Sequence, residues 1–108
     1  MKPTIAEIIK AAAIEFGVSP GHILGFSRER KYTVPRFAVY AIAHDAGFSY
    51  PRIAMAMGGR DKTSVIAGKL RAAFFAATDP DFAAIYEKLR LDLIGADKPV
   101  QFKSSRKS

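Results

Sequence analysis

The sequence contains no cysteine and only two histidines. Without cysteine there are no disulfides and no thiolate zinc sites, and a reducing compartment suits the chain. His22 and His44 fall on different expected helices, so no zinc site and no cofactor is expected. Long apolar runs are also missing. The stretch Ile5 to Phe16 is interrupted by Glu7, Lys10 and Glu15, which the core of a secretory signal would not tolerate. No run approaches the ~20 residues of a membrane span, so no membrane partner is expected. Ser, His and Asp occur without the spacing of a catalytic triad, and the expectation is that the chain is not an enzyme.

What is present is a core and a charge pattern. Of 108 residues, 49% are hydrophobic and the aromatics are mainly Phe, enough for a packed core in one domain. The net charge of +7 is uneven. Residues 1–24 are neutral, residues 25–72 carry nine Lys/Arg against three acids, residues 73–97 are net −3, and residues 98–108 carry four bases and no acid. A basic middle between neutral and acidic segments is a patch, and such patches attract phosphate backbones or anionic surfaces.

Capping signals divide the chain into six helices, and the expected fold is all-α. Thr4 with Glu7 is a capping box before Ile5, Ile8, Ile9, Ala12 and Phe16, which share one helical face; Gly17 ends that helix. Ser19-Pro20 opens a short second helix. Residues 25–34 show no helical period and read as a basic loop, with a third helix starting at Pro35 and running to about Ala46. Ser49 caps a short fourth helix that Gly58-Gly59 breaks. Asp61 caps a fifth, whose apolar residues are not confined to one stripe, so contact on several sides is expected. Within it, Phe74 and Phe75 read as core, or as a partner surface if Phe75 is exposed. Asp79-Pro80 opens a sixth, ended by Gly95. Residues 1–95 read as the helical domain and 96–108 as a basic flexible tail.

Ser49 to about Ala72 is the informative unit: a capped helix, a tight glycine turn, then a helix with a polar start. That is the order of a helix-turn-helix, in which the second helix lays its N-terminus in the major groove. Arg60, Lys62, Thr63 and Ser64 sit where base edges and phosphates would be met. A phosphate loop is excluded, because Asp61 and Ala56 stand where its two glycines would be; no nucleotide is expected.

Three stretches in this order resemble the C-terminal DNA-binding domain of the bacterial replication initiator, the DnaA family, whose fold is shared with the Trp repressor. They are Arg28-Glu29-Arg30-Lys31 followed by Pro35-Arg36, Ser49-Tyr50-Pro51-Arg52-Ile53, and Gly58-Gly59-Arg60-Asp61-Lys62-Thr63-Ser64-Val65. The family signature at the last is Gly-Gly-Arg-Asp-His-Thr-Thr-Val, so Lys62 replaces a histidine and Ser64 a threonine. The resemblance implies that Arg30 enters a minor groove from the basic loop, and that Arg60, Asp61, Thr63 and Ser64 meet the major groove and phosphates. The candidate DNA-binding residues are Arg28, Arg30, Lys31, Arg36, Arg60, Asp61, Lys62, Thr63, Ser64 and Lys69. A chain of this length has no room for the initiator's ATPase domain. The expectation is a stand-alone, sequence-specific binder of double-stranded DNA in the bacterial cytoplasm, associated with the nucleoid. It would regulate transcription or replication, with a phage-like regulator as one plausible owner. A replication or transcription protein could be a further partner. The alternative is an adaptor for that machinery that kept the fold and lost DNA reading.

Overall fold

Thr4 starts the first helix with a reciprocal cap. The Glu7 amide donates to Thr4 Oγ1 at 3.1 Å and the Thr4 amide donates to Glu7 Oε1 at 2.9 Å. The computed structural model describes residues 2–95, so the basic tail expected at 96–108 lies outside the described residues. Among the described residues there are six helices and no strand: α1 Ile5–Phe16, α2 Pro20–Leu24, α3 Arg30–Asp45, α4 Tyr50–Ala56, α5 Lys62–Thr78 and α6 Pro80–Leu93. The all-α expectation holds. Ser19, Ser49 and Asp79 cap α2, α4 and α6 through their side chains, as their spacing before each helix requires.

α3 departs from expectation. It begins at Arg30, five residues before the expected start, and carries Pro35 inside it. A proline that close to the N-terminus removes a single backbone bond, the one it would make to Lys31. The Tyr32 and Thr33 amides already donate to the Glu29 carbonyl, both at 2.9 Å. Two ring contacts hold the added turn. Tyr32 stacks on His22 at 4.2 Å, and the Arg30 guanidinium lies 4.9 Å from the centre of the Phe75 ring. Packing therefore overrides the weak helical propensity of Tyr32-Thr33-Val34.

α3 is the hub of the bundle. It touches the other five helices, and Ala38, Val39, Tyr40, Ala41, Ile42 and Ala43 are all buried. Its alanines let neighbours approach closely. Ile8, Ile23, Ile53, Met57, Val65 and Leu89 pack around it with almost no exposure.

The closest approach is at Gly68 of α5. A Cβ there would lie 2.3 Å from Cδ2 and 2.6 Å from Cε2 of Tyr40, and 3.0 Å from Cδ1 of Phe37. Only a glycine fits, so this residue fixes how deeply α5 seats on the hub. Val65, Gly68 and Ala72 are the buried seam of α5. Its outer side is open: Leu70 is 66% and Phe74 62% exposed. The expected contact on several sides holds, since α3, α4 and α6 all pack against α5, while Leu70 and Phe74 mark the side left open. Phe75 is half-buried among Phe37, Phe82 and Phe74, and of the two phenylalanines Phe74 is the exposed one.

Candidate nucleic-acid interface

α2 is a single turn and leaves its last carbonyls without intrahelical partners. Two arginines take them. Arg36, on α3, is buried; its Nε donates to the Ile23 carbonyl at 2.8 Å, Nη2 to His22 at 3.0 Å and Nη1 to Ser27 at 3.0 Å. Arg60, just after the glycine turn, donates through Nη1 to the carbonyls of Leu24 and Met57 and through Nη2 to that of Gly25. Burial, and then the neighbouring Arg60 charge, lower the Arg36 pKa. The six carbonyl oxygens around the two guanidiniums offset that repulsion, and cations at a helix C-terminus are stabilised in any case. Burial also raises the pKa of Tyr40, against the pull of both guanidiniums.

This arrangement gives two of the candidate residues partners within the protein itself. Arg36 does not face outward; its guanidinium is consumed by the protein's own backbone. Arg60 is half-buried and likewise engaged. Together they tie α2 and the following loop to α3 and to the glycine turn at Gly58-Gly59. The turn itself needs its glycines, because Gly58 and Gly59 have φ of 94° and 78°. The Arg60 amide then donates back to the Ala54 carbonyl at 2.9 Å, closing α4.

The early start of α3 also shrinks the basic loop to residues 25–29. Arg28 is the basic residue that stays in it, exposed and without a side-chain partner among the described residues. Arg30 and Lys31 stand on the first turn of α3, exposed, over Phe75 and Tyr32 respectively. Beyond the turn, Asp61, Lys62, Thr63 and Ser64 are all exposed. Asp61 occupies the N-cap position, yet its carboxylate makes no capping bond; the Ser64 amide donates to its backbone carbonyl at 3.0 Å instead.

Lys69 points elsewhere. It is half-buried next to the Gly68 seam, and its charge pulls down the pKa of Asp45, which burial raises. Beyond Lys62, the exposed base on this helix is Arg71, which the sequence reading missed. Ala67, Leu70, Arg71 and Phe74 line an open groove of about 570 Å³ with Arg30 and Phe75. The small seam residues were the signal available: once Val65, Gly68 and Ala72 face inward, Lys69 falls beside them and Arg71 away from them. Arg52 of α4 is a second missed base, exposed beside Phe48.

A family model described as the bacterial DnaA protein helix-turn-helix matches residues 5–69, from the start of α1 to the middle of α5. The chain belongs to this family. Its curated relatives include chromosomal replication initiator proteins DnaA. That of Thermus thermophilus is 31% identical over 85 residues, covering 78% of this chain and 20% of the relative. That of Oenococcus oeni is 35% identical over 77 residues, covering 70% and 17%. That of Neisseria meningitidis serogroup B is 34% identical over 83 residues, covering 76% and 16%. The chain thus spans a fifth or less of the length of these DnaA relatives. The match takes in α4, the glycine turn and the first half of α5, while the open apolar part of α5 from Leu70 onward lies past it. Among the described residues, no helix is long and apolar enough to cross a membrane.

Proposed function

We propose that this chain is a sequence-specific binder of double-stranded DNA that acts as a regulator of replication or transcription. The observation that carries the reading is the exposed start of α5, Asp61 to Ser64, set beside a loop whose Arg28 is exposed and has no side-chain partner among the described residues. In this reading Lys62, Thr63 and Ser64 enter the major groove, where lysine donates to guanine and the threonine methyl packs on thymine. Arg28 reaches the adjacent minor groove, in place of the expected Arg30. Arg30, Lys31, Arg52 and Arg71 supply phosphate contacts. The replication role is supported by the relatives, which are replication initiators. The chain would work where the chromosome is, in the cytoplasm. Lys62 marks a preference distinct from that of relatives bearing the family's histidine.

Selection of bound sequences from a random duplex pool tests this directly, and a consensus site is the expected outcome. Several phosphate contacts also imply that affinity falls on the order of 10³-fold between low and moderate salt. An unenriched pool together with a flat salt response would refute the reading. It would favour the adaptor alternative, for which the open groove around Leu70 and Phe74 is the supporting observation.

A further inference from the structure

Phe26 is the most conspicuous side chain the roles above leave unused. It is 73% exposed, although it is a large apolar group in a five-residue loop. The loop is not slack. The carbonyls of Leu24 and Gly25, just before Phe26, accept from Arg60, and the carbonyl of Ser27, just after it, accepts from Arg36. The Glu29 amide adds a bond to Ser27 Oγ at 3.2 Å. The backbone on both sides of Phe26 is therefore fixed by buried or half-buried groups. The ring itself stacks by one face on the Arg60 guanidinium, 4.6 Å from its centre. Its other face and edge remain in water.

A pinned backbone with a ring seated on a cation is a preorganised contact. It costs little further conformational freedom when a ligand arrives. Its neighbours say what that ligand is. Arg28, two residues on, is exposed and has no side-chain partner among the described residues, and Arg60 belongs to the turn that launches α5. The ring thus stands between an outward cation and the recognition helix, at the seam where a duplex held by both would pass. Apolar side chains beside arginines in such positions insert against base steps in the minor groove and partly unstack them. The ring's attachment to Arg60 also gives it a cationic backing, which suits the negative potential of a narrow groove.

We propose that Phe26 is a minor-groove wedge: its free face packs against the duplex beside Arg28 and loosens one base step. The inference rests on the DNA-binding reading. It adds a contact made by shape and stacking to those made by hydrogen bonds.

The test uses the full chain and the duplex recovered by selection, with 2-aminopurine placed at successive positions across the site. The wild type should brighten the probe at one step outside the part read by α5. Phe26→Ala should abolish that signal and weaken binding by about tenfold, the scale of one aromatic–base contact. Phe26→Leu, which keeps apolar bulk, should keep part of both. Melting curves of all three proteins separate contact from scaffolding. A lower melting temperature with unchanged affinity and probe signal means that Phe26 only shields Arg60, and overturns the proposal. So does Phe26→Ala that binds and brightens the probe like the wild type. A wild type that selects no duplex removes the DNA reading itself, a different failure from one confined to Phe26.

Discussion

Replacing Gly68 with alanine tests the placement of the recognition helix. In the interior of an exposed helix that change is favourable by about 1 kcal/mol, because glycine gives up more backbone freedom on folding. Here the new methyl would sit 2.3 Å from a Tyr40 ring carbon. Carbon atoms in contact need about 3.5–4.0 Å, so more than 1 Å must be found. Tyr40 cannot supply it cheaply. It is 2% exposed, flanked by the buried Arg36 and by Arg60, and Phe37 closes the other side at 3.0 Å. Overpacking costs about 1–3 kcal/mol, and a 2.3 Å approach to a ring that cannot move belongs to the upper part of that range, about 2–3 kcal/mol, which outweighs the helical gain. The expected net loss is about 1–2 kcal/mol, or roughly 4–15 °C in melting temperature for a domain of this size. DNA affinity should fall by more than stability does, because α5 is levered off the hub while the other helices keep their packing. Thermal melting by circular dichroism and anisotropy with a labelled duplex read the two effects. Pairing the change with Tyr40→Ala opens the space, so the two substitutions should be less than additive. A Gly68→Ala protein that melts at or above the wild-type temperature would refute the close approach.

Three further outcomes follow from the site. Arg36→Ala strips donors from three carbonyls and should cost about 2–4 kcal/mol of stability, whereas Arg28→Ala should leave melting within about 0.5 kcal/mol and weaken duplex binding by about 1–3 kcal/mol; the opposite pattern would return Arg36 to the DNA-facing set. Lys62→His should change the preferred base at one or two positions in parallel selections, by about 1–3 kcal/mol each, and identical preferences would show that Lys62 touches only phosphate. Asp45 is buried, accepts from the Tyr86 hydroxyl at 2.6 Å, and has its pKa raised by burial against the pull of Tyr86, Lys69, His44 and Arg90. The folded state therefore holds this proton more tightly than the unfolded chain, and the stability it contributes is lost as pH rises from the ordinary aspartate range through the raised value. Asp45→Asn should accordingly gain in melting temperature relative to the wild type as pH goes from about 4 to 7, and a difference that stays flat with pH would contradict the shift.

Most helix starts were legible because their signals are local. Thr4 with Glu7, Ser19 before Pro20, Ser49 and Asp79 act within three residues of themselves, and the structure uses each as a cap. The start of α3 was not legible, because Arg30 and Tyr32 are held there by Phe75 and His22, residues distant in sequence. The same reason separates Arg36 from Arg28. Both are arginines in a basic stretch, and only the fold brings carbonyls 13 and 14 residues away to the first of them. Lys69 and Arg71 differ for a simpler cause. Two positions on a helix differ by more than half a turn, and the small residues Gly68 and Ala72 disclose which side is inward once they are read as a seam and not as filler.

Arg60 joins the recognition turn to the loop while Arg36 binds that loop to the hub, so the two outward elements cannot slide past one another. The protein is in that respect a gauge of fixed length. A base pair inserted into a duplex moves everything beyond it by about 3.4 Å along the axis and turns it by about a tenth of a revolution. A hinged reader would absorb such a shift. One whose jaws are set by guanidiniums bonded to the backbone would not. Target sites for this chain should therefore vary in the letters at each position far more freely than in the spacing between them.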